Sequence, residues 1–340
     1  MQLNFRWFGA QDPIPLAYIR QIPRIQGVVS ALFDIPAGHD WPLQRLEALR
    51  RQINGAGMRF DVVESLPVHE DIKLGRPSRE RLVEAYIANI VKLGQVGVKV
   101  ICYNFMPLFD WFRTELAMPL ADGSNTMSYK HADLNSAPDP WKTKMPAYFA
   151  LEEDPERLKA EYLGLSTEDV WANLAYFLEA VVPAAGEHGI KMAIHPDDPP
   201  WSIFGLPRII TDDAALRRLL KLVEHPANGL TFCTGSLGAN PAVDLPALIR
   251  ELGDRIYFAH TRNLKHIGER AFYEASHPEG DLPILEVMKA YRDIGFSGPM
   301  RPDHGRMIWG EQGQAGYGLY DRALGAAYLN GLWEALNSEG

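Results

Sequence analysis

The sequence predicts an α/β protein, a (β/α)8 TIM barrel with a long insertion after the fourth strand. Three observations predict it. Eight short runs rich in β-branched and aromatic residues end at Gly, Pro or a polar residue and alternate with longer segments of helical apolar spacing. Glycines stand just before several of these runs, where a helix end accepts a left-handed residue. No linker rich in Pro, Gly or Ser divides the 340 residues, which favours a closed barrel over an open doubly wound sheet.

The first three runs are Leu3–Trp7, Val28–Phe33 and Arg59–Glu64. Leu82, Val83, Tyr86, Ile87, Ile90 and Val91 then line one side of a helix that ends near Gly97, and the fourth run, Val98–Asn104, follows. From Phe105 to about Gly164 the alternation lapses into Pro, Asp, Asn, aromatics and charge. A structureless stretch of that length is unusual inside a compact domain. It is read as an insertion, 105–164, within a single domain spanning 1–340, serving as a lid or an oligomer contact over the barrel mouth. Ser166-Thr-Glu-Asp supplies an N-cap hydroxyl and first-turn acids for a helix whose buried side holds Val170, Trp171, Leu174, Leu178, Val181 and Val182. Gly189 closes it before the fifth run, Ile190–His195. The last three runs are Leu230–Cys233, Arg255–His260 and Pro299–Asp303, the last preceded by Gly295, and Gly325–Leu336 reads as a closing helix.

The composition is that of an ordinary globular protein, 46% hydrophobic and 23% charged. With 34 basic and 43 acidic residues, a formal charge of −9 and no basic block, the chain would be repelled by nucleic acid or an anionic membrane. Cys102 and Cys233 stand far apart with no CxxC, which supports neither a disulfide scaffold nor a zinc finger. The N-terminus shows no basic and apolar signal pattern, and no apolar run approaches a membrane span. The expectation is a cytoplasmic homo-oligomer that meets neither nucleic acid nor membrane and acts on a small molecule.

A barrel keeps its chemistry at the C-terminal ends of its strands. Here those ends are Arg6-Trp7, Asp34, Glu64-Ser65, Asn104, His195, Cys233, His260 and Asp303. The last four are metal-ligand types on four consecutive strands, so they can converge on one divalent cation. Imidazole and thiolate disfavour Mg²⁺ and Ca²⁺ and suit Mn²⁺, Fe²⁺, Co²⁺ or Zn²⁺. Cys102, inside an apolar run, is read as a buried small hydrophobe. His304 follows Asp303 directly; it is read as a general acid or base if the strand has turned there, or else as a partner orienting Asp303. Tyr317, between glycines, offers a hydroxyl that a loop can lower onto the site. Arg6, Arg262 and Lys73 are candidates for holding a substrate carboxylate, and Trp7, His69, Asn104 and Asn263 complete the expected substrate contacts.

Six stretches are familiar together: Glu64-Ser-Leu-Pro-Val-His-Glu-Asp-Ile-Lys, Cys102-Tyr-Asn-Phe-Met-Pro, His195-Pro-Asp-Asp-Pro-Pro, Phe232-Cys-Thr-Gly-Ser, Phe258-Ala-His-Thr-Arg-Asn and Arg301-Pro-Asp-His-Gly-Arg. In this order, over nearly the whole chain, they resemble the mannonate dehydratases of hexuronate catabolism. The resemblance implies a barrel related to xylose isomerase, a Mn²⁺ or Fe²⁺ cofactor, and loss of water from D-mannonate to give 2-keto-3-deoxy-D-gluconate. It places the metal ligands on His195, Cys233, His260 and Asp303, with His304 and Tyr317 the best matches for acid and base. A metal-dependent sugar isomerase or epimerase on the same barrel is the alternative enzyme. A non-catalytic metal or sugar-acid binder is the alternative outside catalysis, and it has no use for a paired acid and base.

Overall fold

A computed structural model of the chain describes residues 1–136 and 153–338. Twelve strands are found among them: β1 (Gln2–Arg6), β2 (Gly27–Ser30), β3 (Arg59–Glu64), β4 (Val100–Tyr103), β5 (Glu115–Pro119), β6 (Asn125–Lys130), β7 (Lys191–Ile194), β8 (Asn228–Cys233), β9 (Ile256–Thr261), β10 (Asn263–Gly268), β11 (Ala271–Ala275) and β12 (Pro299–Pro302). Eight of them close into a parallel barrel in the order β1-β12-β9-β8-β7-β4-β3-β2. These are the eight runs read from the sequence, with ends that coincide or are displaced by up to three residues, the largest shift being at Phe33, where β2 already stops at Ser30.

Strand periodicity puts alternate residues on the inner face. Val29, Val62, Val100, Cys102, Ala193 and Phe258 meet in a small apolar cluster of their own, whereas Phe5, Val28, Val63, Ile101 and Ile194 join the large core shared with the helices. The first set fills the barrel floor, as expected of a packed lumen. The helix Thr167–Glu187 opens with reciprocal bonds between Ser166 and Asp169, the capping that its sequence promised. Gly97 and Gly189 adopt φ of 85° and 68° where helices turn into β4 and β7, a conformation that a Cβ disfavours.

Leu174, fully buried on that helix, gives a direct test of the core. Leu174→Ala should lower the unfolding free energy by about 3 kcal/mol, from lost transfer energy plus a cavity. Urea denaturation measures it, and a change below about 1 kcal/mol would mean that the helix is not packed as described.

The inserted segment departs from the sequence reading. It is not a bare loop: β5 and β6 pair with β10 and β11 into a four-stranded antiparallel sheet in the order β10-β11-β6-β5. A helix, Pro155–Tyr162, lies near its end, while residues 137–152 of the insertion fall outside the described residues. The strands escaped notice because β5 is half exposed along its length and β6 buries Thr126 and Ser128 in place of apolar residues.

Candidate active site

The ring order makes β7, β8, β9 and β12 neighbours, and register pairs Cys233 with His260 and His260 with Arg301. The ligand atoms of His195, Cys233 and His260 consequently lie within 4.8 Å of one another. Asp303 joins them through Cys233, whose Sγ is 3.4 Å from its Oδ2. The two Asp303 oxygens also face arginines, Oδ1 at 2.8 Å from Arg301 Nη1 and Oδ2 at 2.8 Å from Arg262 Nε. Burial would raise the Asp303 carboxyl, but the fields of His304, Arg301, His260 and Arg262 hold it well below the usual carboxylate range.

The donor set fits a divalent cation on observations independent of residue type. His195 Nδ1 lies 2.7 Å from the Pro196 carbonyl. A carbonyl only accepts, so Nδ1 carries the proton and Nε2 presents its lone pair, the usual arrangement of a metal-binding imidazole. His260 Nε2 is buried and makes no hydrogen bond of good geometry among the described residues, with Glu64 Oε2 3.4 Å away. A second cluster, Glu64, Cys102 and His260, is equally tight but chemically poorer. Burial pushes the Cys102 thiol well up, and both oxygens of Glu64 are bound by Arg301, at 2.8 and 3.0 Å, with Arg6 against one of them.

Of these groups His195, Asp303, Glu64 and Cys102 line a narrow cavity whose wall also includes Arg6, Asn104, Asp110, Trp111, Asp198, Arg301, His304 and Tyr317, whereas Cys233 and His260 are not part of its lining. Strand β12 ends at Pro302, so Asp303 and His304 both reach this cavity rather than opposite faces of a sheet. His304 stands in a chain of hydrogen bonds: Nδ1 is 3.2 Å from Glu274 Oε1 and Nε2 is 3.1 Å from the Tyr317 hydroxyl. Burial would raise Glu274, but Arg262 and Arg113 hold its carboxyl far below its ordinary range. As a carboxylate it accepts from Nδ1–H, which leaves His304 Nε2 as an acceptor. Burial pushes the Tyr317 phenol up to about 12, so it is protonated near neutrality and donates to Nε2, while Trp111 Nε1 donates to its oxygen at 3.3 Å.

Other expected substrate contacts lie elsewhere. Trp7 donates to the Ile14 carbonyl. His69 caps a short helix by accepting from the Asp71 amide, and Lys73 is buried between Glu70 and the Met106 carbonyl. Asn263 ties together the main chain at His277 and Leu282. Arg262 lies behind the cavity, paired with Glu274, Asp198 and Asp303. None of these five lines the cavity. The sequence assigns no role to Arg301, Asp110, Trp111, Asp198 or Glu274; Glu64, Asp198 and Arg301 stand in the family stretches, and Glu64 is also a polar strand end, which are the signals that point to them.

The D-mannonate dehydratase (UxuA) family model matches residues 1–339. The chain is 52% identical to mannonate dehydratase 2 of Halalkalibacterium halodurans over 99% of its own length and 100% of that protein. The chain belongs to the D-mannonate dehydratase family. The crystal structure of mannonate dehydratase from Streptococcus suis serotype 2 superposes with a TM-score of 0.93 at 46% identity, covering 100% of this chain and 96% of that one. A xylose isomerase domain protein from Planctomyces limnophilus gives a TM-score of 0.60 at 12% identity over 99% and 98% of the two chains, which shows a shared barrel fold and nothing of activity. The dehydratase reading therefore stands over the isomerase or epimerase one. The chain is an enzyme, a hydro-lyase of the mannonate dehydratase family. Among the described residues no helix is long and apolar enough to cross a membrane.

Proposed function

We propose that this mannonate dehydratase converts D-mannonate to 2-keto-3-deoxy-D-gluconate with His304 as base, Tyr317 as acid, and a Mn²⁺ or Fe²⁺ ion held by His195, Cys233 and His260 with Asp303. The observation that carries the proton-transfer assignment is the hydrogen-bonded chain Glu274–His304–Tyr317, whose last two members line the cavity. The ion, when bound, supplies positive charge against the second negative charge that develops on a carboxylate whose α-proton is removed.

His304 Nε2 takes the C2 proton, and Glu274 stabilises the imidazolium that results. The Tyr317 hydroxyl gives its proton to the departing C3 oxygen, which leaves as water with the C3–O electron pair. The 3.1 Å bond between the two residues then returns the proton from His304 to Tyr317. The pair is reset, and the C2 proton has in effect been moved to water. The enol left on the substrate relaxes to the 2-keto product by taking a solvent proton at C3 and releasing the proton of its C2 hydroxyl to solvent. Arg6, on the cavity wall, offers a guanidinium to the substrate carboxylate.

The test is product analysis in deuterated buffer with added Mn²⁺. D-Mannonate should yield a 2-keto-3-deoxy acid carrying deuterium at C3, and D-gluconate should serve far less well. An isomeric sugar acid of unchanged mass as product would overturn the reading.

A further inference from the structure

Four carboxylates line the cavity: Glu64, Asp110, Asp198 and Asp303. Three are spent on arginines. Glu64 faces Arg6 and Arg301, Asp198 faces Arg113 and Arg262, and Asp303 faces Arg262 and Arg301. Asp110 has no such partner among the described residues; its one side-chain hydrogen bond there comes from Asn104 Nδ2, at 2.7 Å.

Its position is nonetheless fixed. Asn104 is held in turn, its Oδ1 accepting from the Met106 amide at 3.2 Å. Arg208 donates to the Asp110 carbonyl at 3.0 Å. Beneath the same loop, Lys73 donates to the Met106 carbonyl at 2.8 Å, and the Leu108 amide donates to Glu70 Oε2 at 3.2 Å. A carboxyl group braced in this way and left without a cation is preorganised for a ligand that brings donors. Burial pushes it above the ordinary carboxylate range, against the pull of Asn104 and of the Lys73, Arg6 and His195 fields, in keeping with unsatisfied acceptor capacity.

Its place in the ring says which part of a sugar acid it meets. Asn104 follows β4 and His304 follows β12, and these strands stand four places apart in a closed ring of eight. They therefore face one another across the mouth. The loop after β4 crosses that mouth, since Trp111, next to Asp110, reaches the Tyr317 hydroxyl at 3.3 Å. The substrate's carboxylate is repelled by Asp110 and attracted by Arg6, so the hydroxyl tail is the end left to Asp110.

We propose that Asp110 is a specificity-determining residue that accepts hydrogen bonds from the hydroxyl tail of the sugar acid, at C4 to C6. This deepens the mannonate dehydratase reading and rests on its substrate orientation. Two adjacent hydroxyls match the two oxygens of one carboxylate, and a hydroxyl-lacking analogue leaves that acceptor buried and unpaired.

The experiment compares competitive inhibition of the Mn²⁺-supplemented wild-type and Asp110→Asn proteins by D-gluconate, which has the tail, and D-glycerate, which stops at C3. Asn retains an oxygen for the Asn104 amide and loses the charge. Asp110→Asn should weaken D-gluconate by roughly ten- to a hundred-fold, the range for a hydrogen bond to a charged group, and leave D-glycerate within about twofold. Equal weakening of both inhibitors, or of neither, would overturn the proposal. A second measurement needs no variant: 4-deoxy, 5-deoxy and 6-deoxy mannonates should bind the wild-type protein more weakly than D-mannonate, and if all three bind equally well the tail has no acceptor and the proposal falls. Failure of the function itself would show differently, as a wild-type protein that binds these acids and turns over none.

Discussion

His304→Asn should lower turnover of D-mannonate by roughly a hundred- to ten-thousand-fold, about 3 to 5 kcal/mol of barrier, while metal content and substrate affinity stay near normal. Tyr317→Phe should lose a comparable factor for a different reason, and isotope exchange separates the two. His304 Nε2 is the acceptor in a chain whose other end is the buried Glu274 carboxylate, so removing the imidazole removes the site that receives the C2 proton. Neither product nor exchange of that proton into deuterated solvent should survive. Phe at 317 deletes the hydroxyl 3.1 Å from Nε2 but leaves the base, so the C2 proton should still wash out although water is not expelled. Should His304→Asn instead lose metal while its residual turnover recovers at high Mn²⁺, the histidine serves to orient Asp303, whose Oδ1 lies 3.8 Å from Nε2. If neither substitution costs even tenfold, both assignments fail.

The barrel and the convergence of its strand-end side chains were legible in the sequence because both rest on local rules. Period marks a strand, and the residue ending it faces the mouth wherever in the ring the strand sits. His195, Cys233 and His260 could be brought together on paper from strand order alone. What the sequence concealed depends on partners far along the chain. Glu274 reads as a surface acid on a short strand, yet it is fully buried because Arg113, 161 residues away, and Arg262 neutralise it there. The sheet that carries it forms from two segments separated by more than a hundred residues, β5 and β6 before the helix Thr167–Glu187 and β10 and β11 after β9. Lys73 and His69 show the converse, since their types suit a substrate while their side chains brace a loop and cap a helix. Residue type proposes a role; only the tertiary partners decide whether the group is free to play it.

Cys233→Ser should weaken metal retention by at least roughly a hundred-fold, more than the loss typical of a residue that merely supports a ligand, and turnover should fall with it. The sulfur lies within 4.8 Å of the nearest ligand atoms of His195 and His260, and the Ser236 amide and hydroxyl point at it from 3.4 and 3.2 Å. A serine hydroxyl keeps those hydrogen bonds and nearly the same volume, so folding is preserved. As an un-ionised oxygen at neutral pH it is a poor ligand where a thiolate stood. Cys102→Ser is the control that makes the result specific. Its thiol, kept protonated by burial and bonded by the Thr231 hydroxyl at 3.3 Å, belongs to the other tight cluster, and its replacement should leave metal content unchanged. Metal analysis after dialysis, which needs no substrate, reads both variants. Loss from Cys102→Ser with retention in Cys233→Ser would move the ion to Glu64, Cys102 and His260, where it would have to displace the arginines that hold Glu64.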